Sequence, residues 1–257
     1  MPAIRIDSLD KYYKPVQRLH IIENWLFWFS VLFSLLILIT NSFLITYDNE
    51  IKLFYVIVVV AHFLVSAFNE YILLPNAENE RRKQLLTNSL NVILTTETTK
   101  KFYNNEFEPS IKRLGANIFE NSLFGKEISK QMLIRETIKV VGYFLLWFIL
   151  LLNRSTMLDT ILVITQTIFS SEILLHWIRL IILHIRMKNI YSNLFSLYST
   201  ESDPSKSLAE CKILNEFGTY ESSKMLTRIL QSPKLFNEMN EELSSEWEKV
   251  KTQIGMN

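Results

Sequence analysis

The run from Trp25 to Thr46 contains twenty-two consecutive residues without a formal charge. At about 1.5 Å of rise per residue, a helix of this length crosses a hydrocarbon core of roughly 30 Å. The run is longer than the apolar region of a secretory signal, no small-residue cleavage site follows it, and further apolar segments come after it. The pattern therefore predicts a transmembrane helix and not a cleaved signal.

Three more apolar segments follow, and charged residues mark their boundaries. They run from Leu53 to Leu74, from Val140 to Leu152 and from Leu158 to Ile185. The segment from Val140 is short, so Lys139 and Arg154 would have to extend toward the two interfaces. The simplest prediction is an all-α membrane protein with four transmembrane helices in two hairpins, a cytoplasmic helical insertion and a C-terminal helical tail.

The composition agrees with membrane helices joined to a large water-exposed helical part. Hydrophobic residues make up 49% of the chain and charged residues 21%. The net charge of +1 is the balance of 27 basic and 26 acidic side chains, so bulk charge identifies no partner. Cys211 is the single cysteine, which excludes an internal disulfide and a zinc-type cysteine cluster.

The charged flanks of the apolar segments predict the orientation. Basic residues favour the cytoplasmic ends of spans, and they precede the first span and flank the segment between the two hairpins. The links within the hairpins are short, and the first is acidic, so we expect them on the outer side of the membrane. The predicted regions are a cytoplasmic N-terminal segment at 1–24, a first hairpin at 25–74, a cytoplasmic helical insertion at 75–137, a second hairpin at 138–185 and a cytoplasmic C-terminal helical region at 186–257.

Local signals predict the helices of the cytoplasmic parts. A helix over Asn76–Leu94 is expected to continue the second span, and Pro109 is placed as a first-turn residue of the next helix. In the tail, Asp203-Pro204 and Ser232-Pro233 are helix-start signals. The last helix carries an apolar face on a three-four spacing, which we expect to be buried within the same chain, with burial against another subunit as the alternative. That face consists of Phe236, Met239, Leu243, Trp247, Val250 and Ile254.

Polar residues inside two predicted spans form two stripes. In the fourth span the spacings of seven, four and three place four polar side chains on one helix face, and the second span carries a similar set near its cytoplasmic end. In a symmetric oligomer such groups could line a narrow aqueous path, where carboxylates favour cations. The alternative is an interhelical network that only holds the bundle together. The candidate pore or gate residues are His62, Asn69, Glu70, Thr165, Glu172, His176 and Arg179.

Three groups of basic residues in the insertion are candidates for binding an anionic signal. Two of the groups lie near aromatic residues, a combination that can neutralise phosphates and stack bases. A solvated helical face explains the same charges without any ligand. The candidate signal-binding residues are Arg81, Arg82, Lys83, Lys100, Lys101, Lys112 and Arg113.

Four short motifs in the insertion carry a family resemblance, namely Glu80–Lys83, Asn88-Ser89, Tyr103–Asn105 and Asn117–Phe124. With them, the region between the hairpins resembles that of bacterial four-transmembrane pore-forming effectors in nucleotide-signalling antiphage systems. The likeness is greatest to membrane effectors of the Hailong type, in which a partner nucleotidyltransferase makes DNA oligomers that hold the effector closed. The resemblance implies a homo-oligomer, a tetramer by analogy, gated by a nucleotide or DNA oligomer. The alternative is a basic collar at the membrane boundary and a helix-end packing motif.

Enzymatic signatures are scarce in this sequence. It has no phosphate-cradling glycine-rich loop, no HExxH and no serine nucleophile elbow, and its four histidines lack metal-ligand spacing. We therefore predict neither a cofactor nor a metal, and we expect no catalysis. What the resemblance implies instead is conduction, with membrane depolarisation and growth arrest or cell death. The alternative is a non-conducting scaffold whose cytoplasmic helices recruit a partner protein, and an intramembrane enzyme is a more distant third.

Overall fold

The computed structural model describes residues 6–43, 48–96, 99–100, 105, 107–152, 173–200 and 206–256. Over these residues the protein is all-helical apart from one two-residue ladder, which confirms the predicted fold class at that level. The ladder is antiparallel and pairs β1 (Ile6–Asp7) with β2 (Thr99–Lys100). The helices are α1 (Asp10–Phe43), α2 (Asp48–Phe68), α3 (Leu74–Leu90), α4 (Ile111–Leu152), α5 (Ile173–Thr200), α6 (Ser207–Thr227) and α7 (Pro233–Gln253), with a π-helical turn at Asn69–Leu73 between α2 and α3.

The chain divides into two compact units, and each contains segments that are distant in the sequence. The first, which we call the polar unit, consists of Met1–Asp10, Asn76–Glu136 and Ile178–Asn257. The second, which we call the apolar unit, consists of Lys11–Pro75 and Thr137–Trp177.

One helix among the described residues is long and apolar enough to cross a membrane. It is the continuous helix of forty-two residues from Asn49 to Leu90. An 18-residue window of this helix has a mean hydropathy of 2.2, and only 6% of that window is buried. Its large side chains are open to the surroundings, with Phe63 68% exposed. The predicted first and third spans lie in α1 and α4, which expose large apolar residues such as Trp25 and Ile149. Most of the predicted fourth span lies outside the described residues.

The π-helical turn in this long helix has a local cause in Pro75. The Leu74 N–H donates to the carbonyl of Asn69, five residues earlier, which is the π-helical pattern. Pro75 has no N–H to donate, and its ring conflicts with the carbonyl of Tyr71 in a regular α-helix. The π-helical turn lies just before Pro75, and the helix continues through this proline into α3.

Phe119 lies at the centre of the polar unit's core and is fully buried. Its ring stacks on that of Tyr198, with centroids 5.9 Å apart, and meets the Trp247 ring edge-on at 5.1 Å. These contacts join α4, α5 and α7, while Leu85 of α3 and Ile213 of α6 belong to the same buried cluster. Five helix segments of the polar unit therefore share one apolar core.

The start of α7 and the burial of its apolar face follow the sequence prediction. The Ser232 hydroxyl accepts a hydrogen bond from the Leu235 N–H at 3.3 Å, and Pro233 occupies the first turn. Leu235, Leu243 and Trp247 are buried within the polar unit. This face is therefore covered by the same chain, as predicted.

Two other helix boundaries differ from the prediction. The helix expected over Asn76–Leu94 ends at Leu90, because Asn91 adopts a left-handed conformation with φ of +55°. Pro109 does not lie in the first turn of α4, because Ser110 caps that helix by accepting from the Arg113 N–H at 3.2 Å. The second helix-start signal of the tail, Asp203-Pro204, lies outside the described residues.

Replacement of Gly115 by alanine is expected to destabilise the polar unit by about 1–3 kcal/mol, which is typical of an overpacked core. A Cβ at this position would clash with the Tyr198 hydroxyl, which cannot easily retreat because it donates to the Lys112 carbonyl at 2.7 Å. Gly218→Ala is the matched control, since a Cβ there meets nothing and helical alanine is favoured by roughly 0.5–1 kcal/mol. Thermal unfolding of both variants measures the effect, and equal unfolding temperatures would contradict the packing.

Tyr198 also predicts a loss of stability in alkali. Burial raises the pKa of Tyr198 above its ordinary value of 10.0, so above that pH the unfolded state loses this proton first and the folded state is destabilised as pH rises. We expect Tyr198→Phe to cost about 1 kcal/mol at neutral pH through its lost hydrogen bond. In the wild type the free energy of unfolding should decrease above pH 10.0, because the tyrosine then loses its proton in the unfolded state. In the variant this decrease should be smaller. An unchanged slope, measured by denaturant unfolding across that pH range, would contradict the burial argument.

Candidate functional site

Asn69, a predicted pore or gate residue, contacts α1 within the apolar unit. Its side-chain amide donates to Glu23 Oε1 at 2.8 Å and to the carbonyl of Val16 at 3.4 Å. The other oxygen of Glu23 lies 3.2 Å from Nδ1 of His20. Asn69 is buried and belongs to the π-helical turn. Its observed contacts therefore hold the first hairpin together.

The neighbouring polar residues of the second predicted span approach the same helix. The His62 ring lies 6.4 Å from that of Phe27 on α1, and Ser66 is buried. Spacings of four and three residues place both on one helix face with Asn69. Glu70, the residue that follows Asn69, is half-buried.

The other predicted pore or gate residues lie in different parts of the chain. Thr165 and Glu172 are outside the described residues. His176 belongs to the apolar unit and Arg179 to the polar unit, and both are half-buried on α5. Within the residues that are described, the structure brings His62 and Asn69 together on the side of the helix that contacts α1.

Arg81, a predicted signal-binding residue, takes part in a buried ionic network inside the polar unit. Its Nε donates to Glu78 Oε2 at 2.6 Å, and one terminal nitrogen donates to both oxygens of Glu221 at 2.8 and 3.0 Å. The guanidinium lies over the ring of Tyr220, 5.2 Å from its centroid. Only 13% of the Arg81 side chain is exposed. Arg81 therefore links α3 to α6.

Lys224 completes this network, which we call the buried ionic cluster: Glu78, Arg81, Glu221 and Lys224. Its ammonium lies 3.6 Å from the second oxygen of Glu78. Burial lowers the pKa of Lys224, and the nearby Glu78 carboxylate acts in the opposite direction. Two cations face two carboxylates, so the cluster is formally neutral. Such pairing is what allows charged groups to remain in a desolvated position.

The remaining basic candidates differ in exposure. Arg82 is exposed and donates to Asn79 at 2.6 Å, while Lys83 is paired with Glu80 at 2.6 Å. Lys112 lies over the Phe107 ring, 4.5 Å from its centroid. The side chain of Arg113 is half-buried next to it. The Lys100 side chain and the whole of Lys101 lie outside the part of the chain that the structure describes.

Three residues from the resemblance motifs meet in a second buried polar network. Asn105 donates to the side-chain oxygen of Asn117 at 2.6 Å, and Asn117 donates to the Ser89 hydroxyl at 2.8 Å. Ser89 in turn donates to the carbonyl of Leu85. Asn117 and Ser89 are fully buried. This arrangement fastens the segment at Asn105 to α3 and α4, which is the packing role that the sequence alternative describes.

Sequence reasoning missed the acidic partners in the buried ionic cluster. Glu78 and Glu221 were not predicted as site residues, and Glu221 is 140 positions from Arg81. A usable signal exists in α6, where Lys224 lies four residues after buried Tyr220, on the face that also carries Ile213. Charges on the apolar face of an amphipathic helix indicate a buried ion pair.

No protein-family model matches the chain, and comparison with curated proteins and solved structures gives no significant match. In the described ranges, no group of three or more His, Cys, Asp or Glu side chains is placed to hold a metal ion. The proposals below therefore depend on the geometry of this chain and on the sequence resemblance alone.

Replacement of Arg81 by methionine is expected to destabilise the polar unit by roughly 3–5 kcal/mol. The change leaves the buried carboxylates of Glu78 and Glu221 with Lys224 as the one cation of the cluster. Arg82→Met is the matched control, because Arg82 is exposed and its loss should change stability by no more than about 0.5 kcal/mol. Thermal unfolding in detergent compares the two, and equal losses would contradict a structural role for Arg81.

Proposed function

We propose that the chain is a bacterial inner-membrane effector of antiphage defence that oligomerises and conducts ions when its cytoplasmic part senses a nucleotide or DNA oligomer. The observation that carries this proposal is the continuity of the helix from Asn49 to Leu90. Its apolar half has the length and exposure of a membrane span, and its last turns carry Arg81 of the buried ionic cluster. This helix therefore begins in the apolar unit and ends in the polar unit.

The proposed topology has four spans in two hairpins, with both termini and the insertion in the cytoplasm. Exposed apolar side chains on α1, α2 and the end of α4 support three of these spans. The fourth rests on the predicted apolar segment from Leu158 to Ile185, whose first half lies outside the described residues. Basic residues at the ends of the segments support the orientation.

The proposed conducting path uses the polar stripes of the second and fourth spans in a homo-oligomer. Glu172 is the costliest of these residues to place in a bilayer, which favours a water-filled or protein-lined position. Glu70 and His176 would lie at similar depth, with His62 about 12 Å farther from the cytoplasmic end of the second span. A repeated carboxylate would favour cations. A tetramer is proposed by analogy with the effectors that the insertion resembles.

The proposed signal contacts are the basic side chains that remain accessible in the polar unit. Arg82, Lys83 and Lys112 retain exposed or half-buried positions, whereas Arg81 is engaged in the buried ionic cluster. A phosphate-rich ligand repeated around an oligomer would collect several such charges. Because a ligand can shift an equilibrium only through different affinities for the two states, the signal must bind the closed and open forms unequally.

A non-conducting membrane scaffold is the second candidate, and the contacts of Asn69 favour it. The Asn69 amide donates hydrogen bonds to Glu23 and Val16 inside the hairpin. Helix packing alone therefore explains why a polar residue stands in this apolar helix. In this alternative, the outer helices of the polar unit recruit a partner protein. The polar residues of the second and fourth spans then only stabilise the packing of the membrane helices.

Ion flux into liposomes that contain the purified protein distinguishes the two candidates. We expect signal-dependent cation flux from the wild type and a several-fold reduction for Glu172→Leu, because the substitution removes the charge from the proposed path. Glu50→Leu is the control, since Glu50 is an exposed acidic residue outside both stripes, and its flux should match the wild type. Absence of flux with and without added DNA oligomers, with partner binding retained, would support the scaffold.

A further inference from the structure

A polar cleft of about 280 Å³ lies between α5 and α6 within the polar unit. Asn193, Ser196 and Thr200 line it from α5, and their spacings of three and four residues place them on one helix face. Lys212 and Glu216 line it from α6, again one turn apart. The volume is near the lower end of the range for ligand pockets, about 300–1,000 Å³, so it suits a small molecule and not a polymer.

Glu216 is the residue that indicates what the cleft would bind. It is only 8% exposed, and its Oε1 accepts a hydrogen bond from Asn193 at 3.0 Å. Its Oε2 is buried and has no hydrogen-bond partner among the described residues. A buried carboxylate oxygen without a donor is costly. The last torsion of a glutamate is broad, so rotation about it would bring this oxygen to the cleft surface, where a ligand N–H would satisfy it.

The rest of the lining would recognise a different part of the same ligand. Lys212 belongs to the lining on the α6 side and adds a positive charge there, and Thr200 donates its hydroxyl hydrogen to the carbonyl of Ser196. The lone pairs of the Thr200 oxygen therefore remain available to a ligand hydroxyl. A carboxylate at one position and an ammonium at another match a molecule with a donor at one end and an anion or hydroxyl at the other.

We propose that this cleft is a binding site for a small molecule that presents an amino group to Glu216. The amino group could belong to the edge of a nucleobase, whose sugar and phosphate would face Thr200 and Lys212, or to an aliphatic amine. None of the proposed pore residues and none of the basic residues of the insertion lines the cleft. The inference therefore stands apart from the proposed conduction.

Isothermal titration of the full chain in detergent tests the site with two probes, adenosine 5′-monophosphate and putrescine. Saturable binding of either probe is expected, and the one that binds identifies the source of the amino group. Glu216→Gln keeps an acceptor for Asn193 but removes the charge, so it should weaken binding by about tenfold or more.

Ser196→Phe is expected to abolish binding by filling the cleft, and it should be tolerated because Ser196 is exposed. Ser199→Phe is the matched control, since Ser199 is an exposed α5 residue outside the lining and its variant should bind as the wild type does. The proposal is overturned if neither probe binds saturably up to about 10 mM, a concentration far above the dissociation constants of specific sites. It is also overturned if the Ser196 and Ser199 variants bind equally well.

Discussion

The exposure of apolar side chains along the helix from Asn49 to Leu90 is the constraint on which the account depends. Phe63 is 68% exposed, and the most apolar window of the helix is only 6% buried. Water would penalise such a surface at roughly 25 cal/mol per Å². A lipid environment removes that penalty. Lipid offers no hydrogen-bond partners to the backbone, but a continuous helix pairs its backbone groups internally. The π-helical turn before Pro75 preserves that continuity, so the same helix reaches the polar unit.

The polar unit has the opposite composition, and two kinds of contact hold it together. Aromatic rings around Phe119 join α4, α5 and α7, while the buried ionic cluster joins α3 and α6. Ion pairs of this kind contribute modestly when complete and are costly when one partner is lost. The cluster therefore makes the pairing of α3 with α6 specific.

Features that depend on neighbouring residues could be predicted from the sequence, and features that depend on distant ones could not. The start of α7 at Ser232-Pro233 was correct because capping is a local interaction. Arg81 was interpreted as a surface cation because its partner Glu221 is 140 positions away. Asn69 was placed in a polar stripe correctly, but its partner Glu23 lies on another helix. Sequence periodicity predicts which face of a helix carries a residue, but it does not predict which side chain of another helix that residue contacts.

Cys211 offers the most direct test of the proposed topology, in which the spans cross a bacterial inner membrane and the C-terminal helices lie in the cytoplasm. It is the single cysteine of the chain and is exposed on α6. The measurement is its reaction with a membrane-impermeant maleimide in right-side-out and inverted inner-membrane vesicles. The account predicts labelling in inverted vesicles alone. Labelling in right-side-out vesicles, or absence of the chain from both vesicle preparations, would contradict it.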